Sequence, residues 1–182
     1  MDKTFKTGLV LGRFQAFHKG HEYIIDRALE ICDEVCVMIG SSQEYGTLKN
    51  PFSYDTREKL LRKVYGDKIK VYPLPDIGVG NNCAWGEYVL KNFNDNIGKY
   101  PDLLVSGKEE RRISWFDGLE IEIAELYVPK ILDISASKMR EYFIEDNEKI
   151  WKSLTSEKLW SEYDNLKREV LNSKDNHFTS SI

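Results

Sequence analysis

Residues 7–40, TGLVLGRFQAFHKGHEYIIDRALEICDEVCVMIG, decide how this chain folds. TGLVLG (7–12) is an apolar run closed by glycine and reads as a buried strand. HEYIIDRALEIC (21–32) sets Tyr23, Ile24, Ala28, Leu29 and Ile31 at helical spacing. EVCVMIG (34–40) is a second strand of continuous apolar type, expected where both faces of a sheet are covered. A strand, a helix and a second strand in this order predict parallel pairing through a right-handed crossover.

The pattern continues down the chain. Ser53 reads as the N-cap of a helix over 54–65, with Leu60, Leu61 and Val64 facing inward. KIKVYPLP (68–75) is a third strand, CAWGEYVLKNF (83–93) a helix and PDLLVSG (101–107) a fourth strand. LEIEIAELY (119–127) alternates and predicts a fifth strand near an edge. Helical patterns in SKMREYFIED, NEKIWKSL and SEKLWSEYDNLKREVL run to about residue 172. The expected class is α/β, a doubly wound Rossmann-like parallel sheet of about five strands with a C-terminal helical extension. The expected divisions are an α/β domain over 1–145, a helical subdomain packed on it over 146–172, and a flexible tail over 173–182.

Composition narrows the function. The 182 residues are 41% hydrophobic and 31% charged, with a net charge of −4 that argues against a general nucleic-acid binder. Nothing at the N-terminus reads as a signal peptide, and no apolar segment approaches the roughly 20 residues that cross a membrane. A cytoplasmic protein with no nucleic-acid or membrane partner is expected, and a homo-oligomer remains compatible. Cys32, Cys36 and Cys83 have no second Cys/His pair to complete a zinc site, so they read as reduced thiols.

The chemistry concentrates in GRFQAFHKGH (12–21), which holds two of the three histidines. A strand–loop–helix junction gathers unpaired N–H groups and the positive end of a helix dipole, a ready site for phosphates. Gly12 lets the backbone turn, and Gly20 removes bulk where a ligand would approach. His18 and His21 lie about one turn apart, and Arg13 and Lys19 add charge. Neither G-x-x-x-x-G-K-[ST] nor G-x-G-x-x-G is present. Zinc would need a third protein ligand, and the remaining histidine is His177, so no metal site is expected.

GRFQAFHKGH resembles the H-x-G-H motif of the nucleotidyltransferase superfamily, in the longer form found in archaeal-type nicotinamide-mononucleotide adenylyltransferases. Three further segments follow in that family's order. DISASKMREY (133–142) is similar to its I-S-x-[ST]-x-x-R signature, GSSQEYGTLKNPFSYDTRE (40–58) to its G-S-x-Q…N-P-F-[ST]-x-x-x-R-E segment, and DIGVGNNCAW (76–85) to its D-I…N-x-x-W. Ala16 stands where that family has proline, which predicts a looser loop, and the Asp76–Trp85 spacing is about two residues longer than in that family's pattern.

The resemblance implies transfer of AMP from ATP to nicotinamide mononucleotide (NMN), giving NAD and pyrophosphate, with Mg²⁺ arriving on the ATP. His18, His21, Arg13 and Arg140 would be catalytic. Gly12, Phe14, Gly20, Ser135 and Ser137 would join them around ATP, with Ser135 or Ser137 capping the following helix. Ser41, Gln43, Asn50, Arg57, Asp76, Asn82 and Trp85 would hold the acceptor, Trp85 stacking on the pyridinium and Asn82 pairing with the carboxamide. Within the superfamily the acceptor could instead be nicotinate mononucleotide, FMN or phosphopantetheine. A nucleotide-binding sensor without turnover is the alternative from another class.

Overall fold

The computed structural model describes residues 2–78, 82–107 and 113–175, excepting the side chains of Asn82 and Ile113. Five strands, β1 (Phe5–Gly12), β2 (Cys32–Gly40), β3 (Lys70–Leu74), β4 (Leu103–Ser106) and β5 (Ala124–Tyr127), form one sheet in the order β3-β2-β1-β4-β5. Every pairing is parallel. The chain steps outward from β1 to β3, then returns through α3 (Asn82–Ile97) to pair β4 with the other edge of β1. That reversal parts the loops after β1 and β4, and a crevice at the carboxyl ends of the strands is the general consequence.

Alternation along each strand divides the core into two. Val10, Val35, Val37, Ile39, Val71 and Val105 pack beneath α1 (Lys19–Ile31) and α2 (Tyr54–Tyr65). The same cluster takes in Met139 and Phe143 of α4 (Ala136–Ile144), Trp151 of α5 (Glu148–Ser153) and Tyr163, Leu166 and Val170 of α6 (Tyr163–Leu171). On the opposite face Leu9, Cys36, Met38, Leu74 and Leu104 meet Val89, Leu90 and Phe93 of α3, with Phe116 closing the edge. Among the described residues, one face therefore carries five α-helices and the other carries one. The deep-lying Cys32 and Cys36 are free thiols pushed up to about 11 and about 12, chiefly by burial.

Three elements differ from the sequence reading. Helix α1 begins at Lys19 because His18 caps it, two residues before the start that the apolar periodicity reveals. Only Ala124–Tyr127 of the expected 119–127 strand pairs with β4. Leu119, Ile121 and Ile123 alternate because they dock on the α3-side cluster, not because they belong to a ladder. Residues 157–162 form a 3-10 turn before α6. At the start of the expected tail, Ser173 is buried, Lys174 N–H donates to the Gly46 carbonyl and Asp175 accepts from Leu48 N–H at 2.6 Å. Residues 176–182, with His177, lie outside the described residues. Among the described residues no helix is long and apolar enough to cross a membrane.

Candidate active site

The loop from Arg13 to His18 leaves β1 and is drawn into the core rather than out to water. Phe14, Gln15, Ala16 and Phe17 are at most 2% exposed and His18 is 6% exposed. Phe14 adopts φ 54°, a left-handed conformation uncommon outside glycine, with its ring packed over Gly12. Gln15 forms a reciprocal amide pair with the Phe52 backbone, donating to its carbonyl and accepting from its N–H, both at 2.9 Å. The Gln15–Ala16 peptide is cis. The loop expected to be loosened by Ala16 is thus fixed to the 50–53 segment by an amide clamp and by buried rings. Nothing but a polar residue flanked by phenylalanines hints at Gln15 in the sequence.

His18 caps α1: its Nδ1 accepts the Gly20 N–H at 3.1 Å. A Cβ on Gly20 would sit 3.0 Å from that same imidazole, so the glycine at this position keeps room for the cap. With Nδ1 accepting, the ring proton resides on Nε2. Burial pushes the His18 pKa down to about 4, and the Lys130 charge acts in the same direction, so the ring is neutral at pH 7. His21 stacks on it with ring centroids 3.9 Å apart and 20° between planes, and Phe14 and Phe17 pack against His21 at 5.0 and 5.8 Å. Lys19 points elsewhere: its Nζ donates to the Ser153 carbonyl at 2.8 Å and its N–H to Leu154 at 2.9 Å. It ties α1 to the end of α5 instead of adding charge to the loop.

The second signature arrives beside this loop. Ser135 is the N-cap of α4, its Oγ accepting from Lys138 N–H at 3.2 Å. Arg140, one turn further, donates through Nη1 to the Gln15 carbonyl and through Nη2 to Ser137 Oγ at 3.1 Å. Of the two candidate caps, Ser135 caps the helix and Ser137 orients Arg140. Burial, then the Arg13 charge, lowers the Arg140 pKa.

The loop after β2 completes the cluster. Asn50 is buried and its Oδ1 accepts from Arg13 Nη1 at 3.4 Å. Ser41 is also buried, with φ 47°. Gln43 is exposed, and its Oε1 accepts from the Asp76 N–H at 3.0 Å, joining this loop to the segment after β3. Trp85, in the first turn of α3, is half-buried between Tyr88 (5.7 Å) and Trp115 (6.2 Å, edge-on). The side chain of Asn82, and residues 79–81 of the lengthened loop, lie outside the described residues.

Arg57 departs from its expected place at the acceptor. It is 0% exposed and spends its guanidinium on backbone carbonyls. Nε donates to Ser53, Nη1 to Arg13 and Gly40 (each 3.0 Å), and Nη2 to Ser41 and Ser42. A guanidinium has five N–H donors, and these bonds use all of them. Burial, then the Arg13 charge, lowers its pKa to about 10. The Arg13 charge thus acts on both Arg57 and Arg140, and among the described residues none of the three pairs with a carboxylate within salt-bridge distance. A cluster of guanidinium groups beside a capped helix N-terminus, with Asp76 and Glu141 near enough to act on it but not within salt-bridge distance, is suited to an anionic ligand. Among the described residues, no group of three or more His, Cys, Asp or Glu is placed to hold a metal ion.

Comparison with known proteins places the chain in a family. The profile of the cytidylyltransferase-like family matches residues 9–142, from β1 into α4. A nicotinamide-nucleotide adenylyltransferase from Pyrococcus furiosus is 32% identical over 147 residues, covering 77% of this chain and 74% of that protein. Another from Saccharolobus solfataricus is 41% identical over 88 residues, but the match spans 45% of this chain and only half of the relative. The fold is also that of a bifunctional NMN adenylyltransferase/ADP ribose pyrophosphatase from Francisella tularensis, solved with AMP and a manganese ion. That structure superposes with a TM-score of 0.71 at 20% identity, over 92% of this chain and 52% of the other. With its H-x-G-H loop capping α1 and its I-S-x-S-x-x-R segment opening α4, this chain belongs to the cytidylyltransferase-like family of nucleotidyltransferases, alongside the archaeal nicotinamide-nucleotide adenylyltransferases.

Proposed function

We propose that this protein transfers the adenylyl group of ATP to nicotinamide mononucleotide, forming NAD and releasing pyrophosphate. The observation that carries the reading is a guanidinium cluster with no carboxylate in salt-bridge contact, next to the loop that ends in a neutral, helix-capping His18. The likeness to archaeal nicotinamide-nucleotide adenylyltransferases supports the choice of donor and acceptor.

The phosphate of a nucleoside monophosphate is ionised near pH 7, so its oxygen can attack the α-phosphorus without a protein base. The reaction then needs alignment and neutralisation of charge moving onto the departing pyrophosphate. His18 Nε2–H, His21, Arg13 and Arg140 are the proposed donors to the triphosphate, with the N-terminal amides of α1 and α4 beside them. A histidine held neutral offers a directed donor whose proton is not lost to solvent at the working pH. Gly12, Phe14, Gly20, Ser135 and Ser137 support this half through backbone shape and capping. Ser41, Gln43, Asn50, Asp76, Asn82 and Trp85 are proposed for the acceptor half, Trp85 stacking on the cationic ring. The cationic and neutral donors around the triphosphate are unsuited to ligating a dication, so Mg²⁺ is proposed to enter as part of the nucleotide substrate.

Pyrophosphate release from MgATP with NMN, nicotinate mononucleotide, FMN and phosphopantetheine as acceptors tests the reading, with CTP as a second donor. Fastest turnover is expected with ATP and NMN. Release with another acceptor only, or with CTP in preference to ATP, replaces the assignment. Tight ATP binding without release for any acceptor identifies a sensor instead.

A further inference from the structure

We infer that Arg57 is a positioning residue that sets the donor loop and the acceptor loop at a fixed separation, without touching either substrate. The inference rests on the proposed adenylyl transfer for its kinetic consequence and on backbone geometry alone for the rest.

The carbonyls that Arg57 holds come from three separate segments. Arg13 belongs to the loop after β1, Gly40–Ser42 to the turn after β2, and Ser53 to the N-cap of α2. Two of these attachments fall on strained backbone. Arg13 immediately precedes Phe14 at φ 54°, and Ser41 itself has φ 47°. Both are left-handed conformations that a side chain disfavours, and they persist only where the surroundings over-determine them. Arg57 supplies that determination to both from a single rigid, planar group.

The segments so joined carry the proposed substrate contacts. Arg13 reaches Asn50 in front of the clamp. Ser42 N–H donates to the Leu74 carbonyl, and Gln43 accepts from Asp76, carrying the connection on to the end of β3. The Gln15–Phe52 amide pair closes the loop on the opposite side. A displacement of one segment against the other would leave each substrate its own contacts while spoiling the alignment of nucleophile and phosphorus. Lysine, with its three donors at one point, cannot span five carbonyls on three segments.

The test compares wild type with Arg57→Lys. In kinetics, kcat is expected to fall roughly 10–100-fold, the effect of a misplacement near 1 Å, with the KM of each substrate within about threefold. A residue that serves stability alone would lower the melting temperature and leave kcat per folded molecule unchanged, and that result overturns the inference. Amide hydrogen exchange without substrates supplies a readout independent of turnover. Gly20 and His21, in the first turn of α1 at the end of one loop, and Ser42, Glu44 and Phe52 on the other, are expected to exchange faster together in the variant. Acceleration on one loop only, or on neither, overturns the coupling. If Arg57→Lys does not fold, wild-type exchange in mild denaturant decides: the two sets must open with one common free energy, and separate openings refute the inference. Absence of pyrophosphate release by wild type would end the adenylyltransferase reading and leave the exchange result standing.

Discussion

The loop after β1 and the start of α3 are built to opposite specifications. From Phe14 to His18 every residue is buried, and the loop is tied to the rest of the fold by Gln15, Arg57 and Arg140. Around α3, Asp76, Ile77, Cys83 and Ala84 are exposed and Trp85 is half-buried, on the face of the sheet that a single helix covers. The difference suits the proposed division between a triphosphate half and an acceptor half. Stabilising charge that develops in a transition state requires donors already in place, since donors that must reorganise lose their advantage. Holding a planar ring needs apolar area and one stacking face, and a side chain on a helix end provides both. Variants on the two sides should therefore fail differently, the first in kcat and the second in acceptor KM.

The largest effect is expected from His18→Ala, which removes a donor from the rigid half. Turnover should fall roughly 10²–10³-fold, the usual loss for one preorganised donor. The lost cap should cost about 1 kcal/mol of stability. Steady-state kinetics beside thermal unfolding checks the pair, and wild-type turnover in a folded variant removes His18 from the chemistry.

The same side chain makes a prediction about acid stability. Its pKa is near 4 folded against an unfolded value near 6.5, so the native state resists a proton that the unfolded chain accepts. Its contribution is complete above pH 6.5 and is lost as pH falls toward 4. Over that window it amounts to about 3 kcal/mol at 1.36 kcal/mol per pH unit. Glu22 and Glu169, whose pKa values burial raises, titrate with the opposite sign, so the comparison must be with His18→Asn. Denaturant midpoints from pH 7 to pH 4 should fall more steeply in wild type than in the variant. Parallel curves would place the imidazole in water.

How much of this was legible in the sequence follows the same division. The parallel α/β class and the strand–loop–helix junction at residues 7–21 were readable because glycine and continuous apolar runs each have one dominant reason to occur in that order. A serine cap on α4 was readable too, although the sequence left Ser135 and Ser137 as equal candidates and the structure selects Ser135. Arg57 was not: a sequence shows a guanidinium but not whether its partners are substrate oxygens or five carbonyls of its own backbone. Gln15 was missed because an amide clamp pairs residues 37 apart. Lys19 was misread because its partner, the end of α5, is 134 residues away. In 119–127, alternation over a docking surface looks the same as alternation in a strand.

On the thin face, Gly86→Ala is the third test. A Cβ there would lie 1.7 Å from the Trp115 carbonyl oxygen, and backbone cannot swing aside as a flexible side chain does. The turn over Ile113–Phe116 must lift from α3, at a cost of about 1–3 kcal/mol for overpacking. The melting temperature should drop, and acceptor KM should rise because Trp115 backs Trp85 edge-on. ATP binding, measured alone by calorimetry, should hold. If ATP affinity falls equally, the two halves are not separable and the contrast drawn above fails.

Trp85→Ala should give the smallest effect and the most selective one. Stacking of an indole on a pyridinium contributes about 0.5–2 kcal/mol. The KM for NMN should therefore rise roughly 2–30-fold, with kcat and the KM for ATP nearly unchanged. Half-buried packing against Tyr88 and Trp115 is lost as well, so some stability goes with it. Trp85→Phe separates the two losses. A phenyl ring restores part of the stacking face with a weaker quadrupole, placing its KM between wild type and alanine. If both variants lose melting temperature while the KM for NMN stays at the wild-type value, Trp85 is a packing residue of α3 and the ring-binding surface must be sought elsewhere on the thin face.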